Sequence, residues 1–145
     1  MSNAEIIAPV AWSEAQLPFY SAQVPAGFPS PAQDHIEKVI SLDSLLDINA
    51  PHTYLVRAHG DNLTGAGIFD GDILVVSRAA DAKSGNIVIA AINGEVFVKR
   101  YRREQEQVIL LSENPKYPAR FIMEGDELLI WGVVKHSIRQ HCNHG

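Results

Sequence analysis

From Thr53 onward the apolar positions fall into short runs rich in valine, isoleucine and aromatic residues, separated by glycine, aspartate, asparagine or proline. This pattern predicts strands over Tyr54–Ala58, Ile73–Ser77, Asn86–Ile92, Glu95–Tyr101, Val108–Ser112 and Leu128–Val134. Asn93-Gly94 lies between two of them and predicts a type I′ hairpin, because both residues tolerate positive φ. With no long amphipathic helix between these runs, a mostly antiparallel, all-β fold is expected.

The first part of the chain reads differently. Residues 1–29 carry Pro9, Pro18, Pro25 and Pro29 among scattered apolar residues and keep neither a helical nor a strand period, which predicts an extended arm. Ser2-Asn3-Ala4 has the look of a cloning remnant and carries no functional expectation. Ser30-Pro31-Ala32-Gln33 then offers a helix start, with Ser30 as N-cap and Gln33 reaching back to it. A short helix over Pro31–Val39 follows, with Ile36, Val39 and Ile40 as its apolar side, and a second helical or turn segment includes Leu42, Leu45 and Leu46. These leucines read as packing residues.

Length and composition agree with one soluble domain: 145 residues, 46% hydrophobic and 20% charged. The apolar runs are far shorter than the roughly 18 residues that span a bilayer, and no secretory signal opens the chain, so a cytoplasmic location and no membrane association are expected. Formal net charge is −5, the wrong sign for a protein that grips phosphate backbones. Its one dense basic group is Lys99, Arg100, Arg102 and Arg103. Cys142 has no partner for an internal disulfide, and with His136, His141 and His144 it lacks finger spacing, so neither a metal nor another cofactor is expected.

Three features carry candidate chemistry. Gly60-Asp61-Asn62-Leu63-Thr64, followed by Gly65, Gly67 and Asp70-Gly71-Asp72, concentrates glycine just after a strand; this suits either backbone lying close to a substrate or two ordinary turns. Lys99 alternates onto one strand face with Phe97 and Tyr101, apolar neighbours that disfavour an ammonium, so its amine could take a proton from a nucleophile. A lysine on a half-exposed strand is also often simply solvated. Ala26-Gly27, inside Pro25-Ala26-Gly27-Phe28-Pro29, is a small-residue pair that a protease cleft accepts easily.

Taken in order, Ala26-Gly27-Phe28-Pro29-Ser30-Pro31-Ala32, Gly60-Asp61, Gly67-Ile68, Asp70-Gly71-Asp72, Gly85 to Ala91, Gly94-Glu95, Val98-Lys99 and Gly132-Val133-Val134 resemble the UmuD branch of the LexA/UmuD-like S24 family of self-cleaving SOS-response proteins. The resemblance runs from about Phe19 to about His136. It implies a LexA/UmuD-like C-terminal domain of twisted, largely antiparallel strands with a short N-terminal helix. By this reading residues 1–29 are a flexible arm, 30–138 the peptidase domain and 139–145 a polar tail. It further implies Lys99 as general base, Ala26-Gly27 as scissile bond, and Gly60, Asp61 and Leu63 as the supporting loop. The partners implied are a homodimer or a heterodimer with an active homologue, a RecA–DNA filament and a UmuC-type polymerase subunit. The chain leaves no room upstream for a LexA-type winged helix, so no direct sequence-specific DNA binding is expected.

One position departs from that pattern. Where the family has Gly-Asp-Ser-Met, this chain has Gly60-Asp61-Asn62-Leu63. A serine hydroxyl can lose its proton to a neutral lysine and attack a carbonyl; an asparagine carboxamide cannot at a useful rate, so self-cleavage is expected to be absent or nearly so. Leu63 for methionine conserves volume. Three readings result: an SOS and translesion-synthesis accessory protein impaired in self-cleavage, whether Asn62 is natural or a designed replacement; an active peptidase with another hydroxyl, Thr64 or Ser84, as nucleophile; or a dimerisation module without processing.

Overall fold

The computed structural model describes residues 3–9, 16–20, 36–48 and 51–142. Ten strands are present among them: β1 (Ala4–Pro9), β2 (Gln16–Tyr20), β3 (Ile36–Ser41), β4 (Thr53–Ala58), β5 (Ile73–Ser77), β6 (Ile87–Ile92), β7 (Glu95–Glu104), β8 (Gln107–Leu111), β9 (Arg120–Phe121) and β10 (Leu128–Ile138). Eight form one sheet in the order β1-β4-β5-β10-β6-β7-β8-β9, and β2 and β3 pair separately. Every pairing is antiparallel. The described residues are mostly β, with one short α-helix among them, α1 (Leu42–Leu45), whose N-cap Ser41 accepts hydrogen bonds from Asp43 N and Ser44 N.

The sheet buries both faces, and β6 shows why. Val88, Ala90 and Ile92 pack with Tyr101, Leu110 and Val133 in one cluster. Ile89, on the opposite face, joins Val56, Val76 and Val98 in the other. A strand covered on both sides reads as a continuous apolar run, which is how Ile87–Ile92 appears in the sequence. The hairpin from β6 to β7 turns at Asn93 and Gly94, with φ of 51° and 86° as a type I′ turn requires.

The front of the chain corrects the sequence reading. Residues 1–29 were expected to lack strands, yet Ala4–Pro9 pairs with β4 and Gln16–Tyr20 pairs with β3. A register shift between Ile6 and Ala8 breaks the two-residue period of β1, and Ile6 and Ile7 are both exposed at this sheet edge, so no alternation could be read there. The helix expected over Pro31–Val39 is also corrected: from Ile36 the chain is strand, because Ile36, Val39 and Ile40 are β-branched and find a pairing partner in β2. Its proposed N-terminal turn, Ser30 to Gln33, lies outside the described residues.

At the other end, β10 stops at Ile138, where the polar tail was expected to begin, but the next residue is firmly held. Arg139 donates two hydrogen bonds to the buried carboxylate of Asp72, both at 2.9 Å, and its guanidinium lies 4.0 Å from the centre of the Phe69 ring. Among the described residues, no helix is long and apolar enough to cross a membrane.

Candidate active site

The loop that joins β4 to β5 carries Gly60, Asp61, Asn62 and Leu63. Leu63 is buried in the first core cluster and anchors the loop from below. Gly60 takes φ of 86°, and its N–H donates to Asp70 Oδ1 at 2.8 Å, closing the loop on itself. A single 3₁₀ turn, Thr64–Ala66, follows.

A second segment, the residues after β8, clamps this loop. Glu113 N donates to Asn62 O at 2.7 Å, and Gly65 N donates to Glu113 O at 2.8 Å. Gly65 is required here, since a Cβ would stand 2.6 Å from the Glu113 carbonyl oxygen. Asn114 Nδ2 donates to Asp61 O at 2.8 Å. The Asp61 carboxylate accepts from the Tyr117 hydroxyl and from Lys116 Nζ, and these two bonds hold it below the usual carboxylate range. Asp61 is thus a fastener of the loop.

Lys99 comes from β7. Its amine donates to Ser112 Oγ at 2.8 Å and lies 5.7 Å from the centre of the Phe97 ring. Burial pushes it below the usual lysine range, since desolvation penalises the ammonium form. Lys99 and Asn62 therefore converge on adjacent residues, Ser112 and Glu113. A further link runs through Asn3, whose Nδ2 donates to Asn62 Oδ1 at 3.0 Å and to the carbonyl of Val98, the residue before Lys99, at 2.9 Å.

The structure thus brings together Gly60, Asp61, Asn62, Leu63 and Lys99. Ala26 and Gly27 lie outside the described residues. The alternative hydroxyls are engaged elsewhere: Thr64 Oγ1 donates to Asp61 O, and Ser84 Oγ bonds the backbone of Arg103. Ser112 is the hydroxyl that meets Lys99, and sequence reading missed it. The signal available was a serine at the end of an apolar strand, just before the turn-forming Glu113-Asn114-Pro115. Asn3, set aside in the sequence, is buried here. No cluster of three or more histidine, cysteine, aspartate or glutamate side chains among the described residues is placed to hold a metal.

Comparison with known proteins matches residues 18–135 to the Peptidase S24-like family. The chain belongs to that family. Among curated S24-family relatives, protein MucA of Salmonella typhimurium is 37% identical over 126 residues, covering 86% of this chain and 86% of MucA. LexA repressor 1 of Pseudomonas putida is 40% identical over 128 residues, covering 88% of this chain and 62% of that repressor. The LexA repressor of Bordetella avium is 35% identical over 122 residues, covering 84% of this chain. The chain spans 57% of the length of that LexA repressor.

A lysine amine with lowered proton affinity can accept a proton from a hydroxyl within hydrogen-bond reach. Asn62 offers no hydroxyl, and its carboxamide nitrogen has its lone pair delocalised into the carbonyl. What the asparagine supplies is an acceptor, Oδ1, already used by Asn3.

Proposed function

We propose that this chain is an SOS-response accessory protein of the UmuD and MucA type that has lost, or nearly lost, the capacity to cut itself. The observation that carries the reading is Asn62: it stands where the family resemblance puts the nucleophile, in a loop held by Glu113, the residue after the Ser112 that Lys99 meets. The 37% identity to MucA over 126 residues is in keeping with that reading. In this reading the work is regulatory. The chain pairs with itself or with an active homologue, engages a RecA–DNA filament and joins a UmuC-type polymerase subunit in translesion synthesis. Bond breaking between Ala26 and Gly27, where it occurs, is done by the homologue's serine.

The test is co-incubation of the purified chain with an active homologue, RecA, ATP and single-stranded DNA, followed by fragment sizing. Cutting of this chain after Ala26 only when the homologue is present supports the reading. An arm left intact while the homologue cuts itself completely counts against processing in trans, and failure to bind the filament, the homologue or the polymerase subunit counts against the regulatory role.

A second reading is favoured by one contact, that between Lys99 Nζ and Ser112 Oγ. If Ser112 served as nucleophile, its Oγ would attack the peptide carbonyl carbon while its proton passed to Lys99 Nζ. Lys99 would return that proton to the leaving amine, and water would then release the acyl group from Ser112. Incubating the chain alone with RecA, ATP and single-stranded DNA separates the two readings. Cleavage abolished by Ser112→Ala supports the second, and an intact chain rules it out.

A further inference from the structure

The notch between Val98 and Asn62 is filled, and the way it is filled is informative. Asn3 Oδ1 accepts from Val98 N, and Asn3 Nδ2 donates to Val98 O and to Asn62 Oδ1. One carboxamide thus takes both the N–H and the C=O of the same residue. In an antiparallel ladder this double exchange is the signature of a directly opposed residue. The side chain of Asn3 imitates a peptide unit laid against β7. It does so on the stretch of β7 that β8 does not reach, since pairing with β8 begins only at Arg100. Val98 immediately precedes Lys99, so this is the backbone that a segment brought to the lysine would meet.

The main chain of Asn3 is held too. Its carbonyl accepts from His59 N at 2.9 Å, and the following residues continue as β1 along β4, with Ala4 opposite Ala58. Glu5 and His59 Nε2 are 2.9 Å apart on the exposed side. Asn3 is 6% exposed, and a buried carboxamide left unpaired would be costly; here both Nδ2 protons and Oδ1 have partners. A serine at position 62 would place its oxygen closer to the backbone than Asn62 Oδ1 and make a different contact with Nδ2.

We propose that Val98 and Asn62 form a receptor for a peptide-like amide and that Asn3 of this same chain is its resident occupant. Strand β1 is thereby latched across the position that any segment delivered to Lys99 must take. Asn62 is then a latch residue as well as a missing nucleophile. The latch stands on its own contacts, while its consequence for cleavage rests on the function proposed above.

Amide hydrogen exchange on the full chain tests it. In Asn3→Ala, and in Asn3→Asp, whose carboxylate would face the Val98 carbonyl and Asn62 Oδ1, exchange across residues 4–8 and at Val98 should quicken by about tenfold or more relative to β6 and β10. Asn62→Ala, which removes one of the three bonds, should show a smaller change in the same amides. Unchanged protection of β1 in both Asn3 variants overturns the proposal, as does an equal acceleration in every strand. In an Asn62→Ser background with RecA filament, adding Asn3→Ala should raise the cleavage rate about threefold or more, because an occupant that competes for the site is removed. An unchanged rate there overturns the blocking role. If Asn62→Ser is not cut at all, the cleavage reading fails and the exchange measurement still reports on the latch.

Discussion

Lys99 and Asn62 are fastened to neighbouring residues at the end of β8: Lys99 Nζ donates to Ser112 Oγ at 2.8 Å, and Glu113 N donates to Asn62 O at 2.7 Å. The strand end therefore holds Lys99 and Asn62 from both sides. A change on that segment should disturb both at once, even though neither residue is itself altered.

Gly65→Ala tests the clamp. The added methyl would meet the Glu113 carbonyl oxygen at 2.6 Å, so either the hydrogen bond between Gly65 N and Glu113 O or the loop position must give way. Overpacking of this kind costs roughly 1–3 kcal/mol. Chemical denaturation should show that loss, and amide exchange should place it at residues 60–66 and 112–117. A stability equal to that of the parent would mean the two segments are not clamped.

Lys99 should weaken the fold near neutral pH. Burial lowers its proton affinity in the folded state, so between that lowered value and the ordinary 10.5 the unfolded chain holds more protons. Stability then rises with pH across that window and is lowest beneath it, where the half-buried ammonium is charged. Lys99→Met should accordingly stabilise the fold near pH 7, with the gain shrinking toward pH 10.5. Thermal melts across pH check this; a destabilised methionine variant at pH 7 would contradict it.

Asp72 works with the opposite sign. Its bonds from Arg139, and a further one from Phe69 N, hold the carboxyl below its usual 3.8. The stabilisation is present in full above about pH 4 and is lost as pH falls through the lowered value. Arg139→Gln leaves a buried carboxylate short of its main partner, and should cost roughly 2 kcal/mol at pH 7, less as pH falls through the lowered value. Acid titration of both proteins gives the comparison, and a difference that does not narrow with acid would refute it.

Much of this fold is legible in the chain, for reasons that differ by element. β4 to β8 and β10 carry β-branched runs bounded by turn residues, so their positions read directly. β9 is two exposed residues, Arg120 and Phe121, too short to leave a pattern. β1 is hidden by its bulge, and β3 by a spacing of Ile36, Val39 and Ile40 that suits a helix equally well. The site divides in the same way. Asn62 and Lys99 stand out through the family resemblance, whereas Ser112 and Asn3 gain their roles only when the sheet closes: Asn3 meets Val98 across 95 positions of sequence. No local period records such a contact.

The most direct test of the account replaces Asn62 by serine and follows intact mass with RecA, ATP and single-stranded DNA. If base, loop and clamp are sound and only the hydroxyl is missing, a new break should appear between Ala26 and Gly27 in the serine protein and not in the parent. Equal cleavage of the parent chain after Ala26, or a serine protein that binds the filament and stays whole, would contradict it.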